Sequence, residues 1–397
     1  MLQPDPNDRF RERRSQARRR RARQRLAAFA ILALGTAVVA LGARFLEEGD
    51  GPPSGAAPTT TAASSEATTE AAPPAPSELP DEIRGVHVTM GLMTLPGKFN
   101  EYLSLAGKGL TALQVDVKDE NGEVAFRSPL APLATKVGAA QDYYKPEAVA
   151  RKAHARGIYL IGRLVVFEDP FLARNRPRLA VQRAGGGTWT NYGGLGWSNQ
   201  YDERVWDYNV DVAEAAARAG FDEIMFDYVR FPSDGPVELA RWPGRVNEKK
   251  GETIARFLAY ARERLEPLGV RISAAVFGLA ATRDLGIGQR PQLLAPHLDA
   301  IYPMVYPSHY SPGEYDISDP NGMPGATVTM ALRDFKRVLR GADTLIIPWL
   351  QDFSIGQTYG PAEVRAQITA ARKLTPTGYL LWNAAGVYTS GGLAAAP

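Results

Sequence analysis

Cysteine is absent from the 397 residues, which excludes a disulfide framework, a thiolate zinc site, an iron–sulfur cluster and a cysteine nucleophile. Histidine is scarce. His87, His154, His297 and His309 are scattered, and no HxH or HxxxH spacing offers a metal-ligand pair, so a metal hydrolase is the weakest reading. No cofactor is expected. Net charge is also small, +3 from 46 Lys+Arg against 43 Asp+Glu, but that average conceals a split. What is present is a globular balance, 45% hydrophobic and 22% charged, which excludes a wholly disordered chain.

The first 25 residues hold ten arginines against Asp5, Asp8 and Glu12. The remainder has 36 Lys+Arg and 40 Asp+Glu, a formal charge of about −4. An uncharged apolar run follows from Leu26 to Ala43. It is just long enough for a helix to cross a hydrocarbon layer ~30 Å thick. Arginines directly before such a run mark the cytoplasmic side. The expectation is a single membrane span over 26–46, with residues 1–25 cytoplasmic and everything after Arg44 outside. A cleaved signal peptide, leaving a secreted protein, is the rival, because Ala40 and Gly42 are small residues near the end of the run. Nucleic-acid binding by the arginines is disfavoured, since no aromatics interleave them and they abut the apolar run. Topology and attraction to anionic lipid account for them.

Residues 47–80 are mostly Ala, Pro, Thr, Ser, Gly and Glu. Such a segment buries too little apolar surface to offset its chain entropy and reads as a tether. The folded domain is expected over 81–397.

That domain alternates short apolar runs with amphipathic stretches. Candidate strands are Arg84–Thr89, Ala112–Val117, Ile158–Val166, Glu223–Val229, Arg271–Phe277, Ala300–Val305, Thr344–Leu350 and Tyr379–Asn383. Helical patterns over Pro146–Arg156, Tyr201–Ala219, Glu248–Leu268 and Pro361–Leu374 separate several of them. Helix-then-strand order signals parallel pairing through crossovers. Eight such units predict an α/β fold, a (β/α)8 TIM barrel. A doubly wound sheet would carry a glycine-rich phosphate turn after its first strand, and here that strand runs into Thr89-Met90-Gly91-Leu92. Enlarged loops are expected at Phe167–Gln200, Arg230–Asn247 and Tyr306–Thr327, all on the C-terminal face where barrel active sites lie.

Polar residues that interrupt strands near their C-terminal ends are the candidate site. Asp227 follows Ile224-Met225-Phe226, and an ionised carboxylate there needs a partner. Arg163, inside the third strand, is in position to keep it ionised, as a nucleophile or electrostatic stabiliser requires. Arg230 is a second possible partner. Gln114, Asp116 and Lys118 share one strand parity, so Asp116 is a candidate acid bridged by Lys118. Asp119 to Gly122 reads as a solvated turn. Glu168 and Asp352 are further carboxylates at strand ends. Tyr302, Tyr306, His309, Trp349, Gln351, Trp382 and Asn383 complete a mouth suited to a sugar. Aromatic faces cover a pyranose, and carboxylates and amides bind its hydroxyls. Glycosidic bonds are commonly broken by a carboxylate pair.

The segments GFDEIMFDYVRFPSDG, GIYLIGRLVVFEDP, VWDYNVDVAEAAARAGFDEI, MVYPSHY, PWLQDF and YLLWNAAGVY resemble the glycoside-hydrolase-like family labelled DUF4015. The likeness covers nearly all of residues 83–390. It implies a TIM barrel and a catalytic carboxylate at Asp227. The family motif also matches Arg163, Glu168, Asp169, Tyr306, His309, Gln351, Asp352 and Asn383. One position departs. The family's fifth strand often reads S-A-D-V-F-G, and here Ala275 stands in Ser273-Ala274-Ala275-Val276-Phe277-Gly278. The general acid then has to be Asp116, Glu168 or Asp352. Two functions follow as expectations. One is a membrane-anchored extracytoplasmic hydrolase of a cell-envelope or extracellular polysaccharide. The other is a non-catalytic carbohydrate-binding or scaffolding barrel.

Overall fold

The computed structural model describes residues 78–389 and 391–394. The arginine-rich segment, the expected span and all but the last residues of the tether lie outside them. Among the described residues, no helix is long and apolar enough to cross a membrane.

Eight parallel strands close on themselves. They are β1 (Ile83–Val88), β2 (Ala112–Lys118), β3 (Tyr159–Val165), β4 (Glu223–Asp227), β5 (Arg271–Phe277), β6 (Ala300–Val305), β7 (Trp349–Gln351) and β8 (Gly378–Trp382). Each pairs with the next, and β8 pairs back onto β1 with Leu381 opposite Val86. The TIM barrel read from the sequence is therefore present.

Crossover helices α1 (Lys98–Ser104), α2 (Pro146–His154), α3 (Glu203–Arg218), α4 (Lys250–Leu265), α5 (Pro291–Leu294), α6 (Pro324–Val338) and α7 (Pro361–Leu374) connect successive strands. Four of them match the helical patterns in the sequence. The α6 helix overlaps the end of the loop expected at Tyr306–Thr327. It buries Thr327, Val328, Ala331, Leu332 and Phe335, a helical stripe facing the sheet.

The expected seventh strand is interrupted. Leu345–Ile346 pairs with the start of β6, and Trp349–Gln351 forms β7 proper. Pro348, which has no N–H for the ladder, stands between them. The large loop after β3 is knitted to the loop after β4 by a two-stranded antiparallel ribbon, Gln182–Arg183 with Ala240–Arg241. Trp189 and Trp197 are fully buried within these loops, and the Trp189 indole donates to the Pro236 carbonyl.

The core has two shells. Outside the sheet, β-strand residues such as Val115, Leu164, Phe226 and Ile301 pack under the helices. Inside it, Tyr159, Ile161, Met225, Ala275, Tyr302 and Trp349 fill the lumen. At the strand N-termini, Glu223 is fully enclosed and accepts from Tyr159 and Ser273. Asp222 accepts from the Leu160 amide and bonds His154. These two carboxylates hold the closed end together.

Candidate active site

Four polar side chains from four successive strands form a chain across the mouth. His87 lies near the end of β1, Asp116 near the end of β2, Arg163 is in β3 and Asp227 ends β4. His87 Nε2 lies 2.8 Å from Asp116 Oδ1. Arg163 Nη1 donates to the same oxygen at 2.8 Å, and its Nη2 and Nε hold Asp227 Oδ2 at 2.7 and 2.8 Å. All four are buried. One planar guanidinium thus carries two carboxylates, whose bound oxygens are no more than about 8 Å apart.

Asp116 is saturated. It also accepts the Met90 amide at 3.0 Å. Burial alone would raise its pKa, but His87 and Arg163 outweigh that and hold it well below the usual carboxylate range. An ionised carboxylate only accepts, so the bridging proton sits on His87 Nε2. Burial disfavours the charge on Arg163, but Asp227 and Asp116 raise its pKa well above the ordinary value. Asp227 receives a further hydrogen bond from the Tyr228 amide at 2.7 Å. Tyr228 itself has φ 49°, a left-handed backbone that a tyrosine adopts only under strain. The chain turns sharply where the strand delivers its carboxylate.

The expected Asp116–Lys118 bridge does not form. The β2–β3 register shifts between Asp116 and Lys118. A bulge of this kind re-aims the residues beyond it. Lys118 therefore leaves the lumen and is fully buried against α3. It pairs with Asp169 at 2.7 Å, donates to Asn209 at 2.9 Å and lies over the Tyr208 ring. Asp169 also caps the helical turn after β3, accepting from the Leu172 amide.

The turn after β2 is likewise not solvated as expected. Asp119 is buried and accepts from Asn121 and Glu123. Burial, and then the charges of Glu120, Asp116 and Glu123, push its pKa up to about 8. Gly122 (φ 78°) lets this turn pack against Asp169 and Phe171, where a side chain would collide. Glu120, expected as part of that solvated turn, comes within 3.6 Å of Arg163 Nη1. A DENG turn carries no local signal of that approach.

Aromatic rings form the opposite wall. Tyr306 stacks on Trp382 with centroids 5.6 Å apart and 26° between planes. It meets Phe353, His309 and Trp349 edge-on at 5.5, 5.4 and 6.5 Å. The Trp349 ring in turn meets His87 at 5.6 Å, which joins the aromatic wall to the charged chain. Burial, with Asp227 adding to it, holds the Tyr306 phenol protonated.

Asp352 follows β7 beside this wall. It accepts the Thr389 amide at 2.7 Å and the Thr389 hydroxyl at 2.6 Å. Burial raises its pKa against those two bonds. The neighbouring amides are committed to the loops. Gln351 accepts from the Ser308 amide and donates to the Phe353 carbonyl. Asn383 donates to the Asp352 carbonyl and accepts from the Ala385 amide.

Three expected site residues lie away from the mouth's open side. Tyr302 is fully buried in the lumen. Its raised pKa comes from that burial and the nearby Glu223 charge. Arg230 is buried with its guanidinium over the rings of Phe277, Trp197 and Tyr228 at 4.8, 5.0 and 5.1 Å, and it donates to Phe231 and Ser233. It is not a partner of Asp227. Glu168 is fully enclosed and accepts from Asn191 at 3.2 Å. Ala275 faces the lumen. Because Ala274 pairs with Phe226, Ala275 stands level with Asp227 on the adjacent strand.

The family model described as "Putative glycosyl hydrolase domain" (DUF4015) matches residues 85–388. No curated protein matches the chain. A hypothetical protein from Ruminiclostridium thermocellum ATCC 27405 is similar at 35% identity over 48% of this chain and 96% of that one, with a TM-score of 0.43. The β-N-acetylhexosaminidase from Bacteroides fragilis NCTC 9343 aligns over 80% of this chain and 66% of its own at 13% identity, with a TM-score of 0.51. The catalytic domain of the β-amylase from Paenibacillus polymyxa aligns over 79% and 95% at 10% identity, with a TM-score of 0.50. The last two likenesses establish the fold.

Proposed function

The chain belongs to the DUF4015 family of glycosyl hydrolase domains, and from that premise we propose a membrane-anchored, extracytoplasmic glycoside hydrolase that cleaves a cell-envelope or extracellular polysaccharide. The observation that carries the catalytic reading is the Asp227–Arg163 ion pair at the C-terminal end of β4. It supplies an ionised carboxylate at a barrel mouth, as nucleophile or base.

The acid is Asp352. An acid must hold a proton at working pH: burial raises the Asp352 pKa, whereas Asp116 is held low and Glu168 is fully enclosed away from the mouth's open side. Asp116 is held ionised and serves to orient Arg163 and His87. Asp352 protonates the glycosidic oxygen as the bond to the anomeric carbon breaks. Asp227 meets the positive charge that develops there, directly or by deprotonating the attacking water. Tyr306 and Trp382 supply the apolar platform for a sugar ring. The anchor is the apolar run Leu26–Ala43 behind its arginines.

A second reading, a non-catalytic glycan-binding barrel, is favoured by one observation. Ala275 stands level with Asp227 where the family pattern often has an aspartate. One experiment separates the two. Residues 73–397, a separate compact unit, are incubated with envelope glycans and reducing ends are counted. Wild type releases them. Asp227→Asn lowers the rate at least about 100-fold, and Asp352→Asn removes the alkaline limb of the pH profile. Glycan binding with no release by wild type establishes the binder. Equal rates in wild type and Asp227→Asn remove Asp227 from the mechanism.

A further inference from the structure

The end of the barrel opposite the mouth carries a groove of about 650 Å³. It lies where α6 and α7 finish and where the segments leading into β7 and β8 begin. Arg333, Lys336, Arg337 and Arg340 line it against a single lining acid, Asp343, and all five are exposed. Arg337 is paired with Asp334 at 2.8 Å. Among the described residues, the other three cations have no carboxylate within salt-bridge distance. Its floor is aliphatic, from Leu339, Ile346 and Leu374.

Basic residues in a last helical turn ordinarily complement the helix dipole. That accounts for only part of this cluster. A helix end carries about half a negative charge, so the two ends here offset about one cation. An excess of positive charge remains over an apolar floor. A cationic rim on an aliphatic concavity fits an amphiphile with an anionic head better than a fully hydrated polyanion.

The chain's own layout points to which amphiphile. The Ile83 amide donates to the Thr377 carbonyl at 2.8 Å, and Thr377 lines the groove. The polypeptide therefore enters the barrel beside it, coming from the apolar run by way of residues 47–80. The chain thus enters at the groove end of the barrel and not at the mouth.

We propose that this groove docks the barrel onto anionic phospholipid of the membrane that its N-terminus spans, with the mouth turned away from the bilayer. The lipid as occupant rests on the anchor reading above, whereas the groove's affinity for it does not. Docking fixes the distance at which the mouth works and leaves it facing the envelope.

The test uses residues 73–397, which close their own sheet around their own core. They are sedimented with phosphatidylcholine vesicles, with or without about one phosphatidylglycerol in three. The expected result is binding to the anionic vesicles alone, weakening about five-fold for each cation removed. The Arg333→Glu, Lys336→Glu, Arg340→Glu triple variant should lose it with an unchanged melting temperature. Arg151→Glu with Lys152→Glu, two exposed cations on α2, should retain it. Absence of binding, or equal loss in both charge-reversed variants, overturns the proposal. Binding of soluble polyphosphate without vesicle binding also overturns it. Vesicle binding by a barrel that hydrolyses nothing supports the docking and sinks the enzyme. Loss of vesicle binding in a barrel that still hydrolyses glycans does the reverse.

Discussion

At the scale of single residues, the mouth depends on one guanidinium that neutralises two buried carboxylates. Removing Arg163 leaves Asp116 and Asp227 facing each other across a low-dielectric space, with Glu120 nearby. Breaking a buried pair from one side costs about 3–5 kcal/mol. Arg163→Met should therefore destabilise the barrel by about that much in denaturant titration. Arg163→Lys should recover only part, because a point charge cannot hold both carboxylates in one plane. If the Met variant unfolds at the wild-type midpoint, the charged chain is not structural. Asp119 gives a signature of the opposite kind. Its folded pKa is about 8 against an ordinary 3.8, so between these values the folded state keeps a proton that the unfolded state releases. Its contribution is full below about pH 4 and is lost as pH rises through about 8. Asp116, held low, contributes in the other sense: its share is present above the ordinary carboxylate range and disappears in acid. Asp119→Asn should flatten the decline of melting temperature between about pH 5 and 8, and an unchanged slope would assign that decline elsewhere. The sequence made Arg163 and Asp227 legible, because each interrupts an apolar strand and adjacent strands had to bring them close. It did not make the Asp116–His87 bond legible, since His87 has no local feature to distinguish it from a core histidine.

At the scale of elements, eight short apolar runs separated by amphipathic ones were enough to write the barrel, because parallel pairing through crossovers leaves few arrangements. The departures share one cause, which is that register is set between strands and not within them. Alternation along β2 put Asp116 and Lys118 on one face, but the bulge against β3 separates them. Pro348 breaks the seventh strand for a reason visible in the sequence. That the ladder resumes at Trp349 depends on the neighbouring β6 and β8 strands. The bulge has an energetic consequence. It sends a fully buried ammonium toward Asp169 and Asn209, joining the end of β2 to the turn after β3 and to α3. Burial lowers the Lys118 pKa and Asp169 opposes this. Lys118→Met would strand the Asp169 carboxylate and cost about 3–5 kcal/mol, whereas Lys118→Met with Asp169→Leu should recover most of it. A double variant no more stable than the single would show that the loss comes from the Asp169 cap on the following turn.

At the scale of the whole molecule, a net charge of +3 is the sum of two bodies of opposite sign. Ten arginines precede the apolar run, and the remaining chain is slightly acidic. The groove at one end of the barrel is basic, whereas at the mouth Arg163 offsets the charges of Asp116 and Asp227. A barrel entered at its basic end would turn that end toward an anionic bilayer. With no cysteine, it has no disulfide to draw on and stays folded on its own core. These properties have consequences for the intact protein in its own cells. If the apolar run is the proposed anchor, the full chain should sediment with membranes, resist extraction by high salt and be released by detergent, because an apolar segment in the bilayer is held by burial and not by charge. Protease added to intact cells should remove the barrel and leave the arginine-rich end protected. A shortened, soluble form in the medium would mean that the apolar run is a cleaved signal. Full-length protein in the cytosol would refute both topologies.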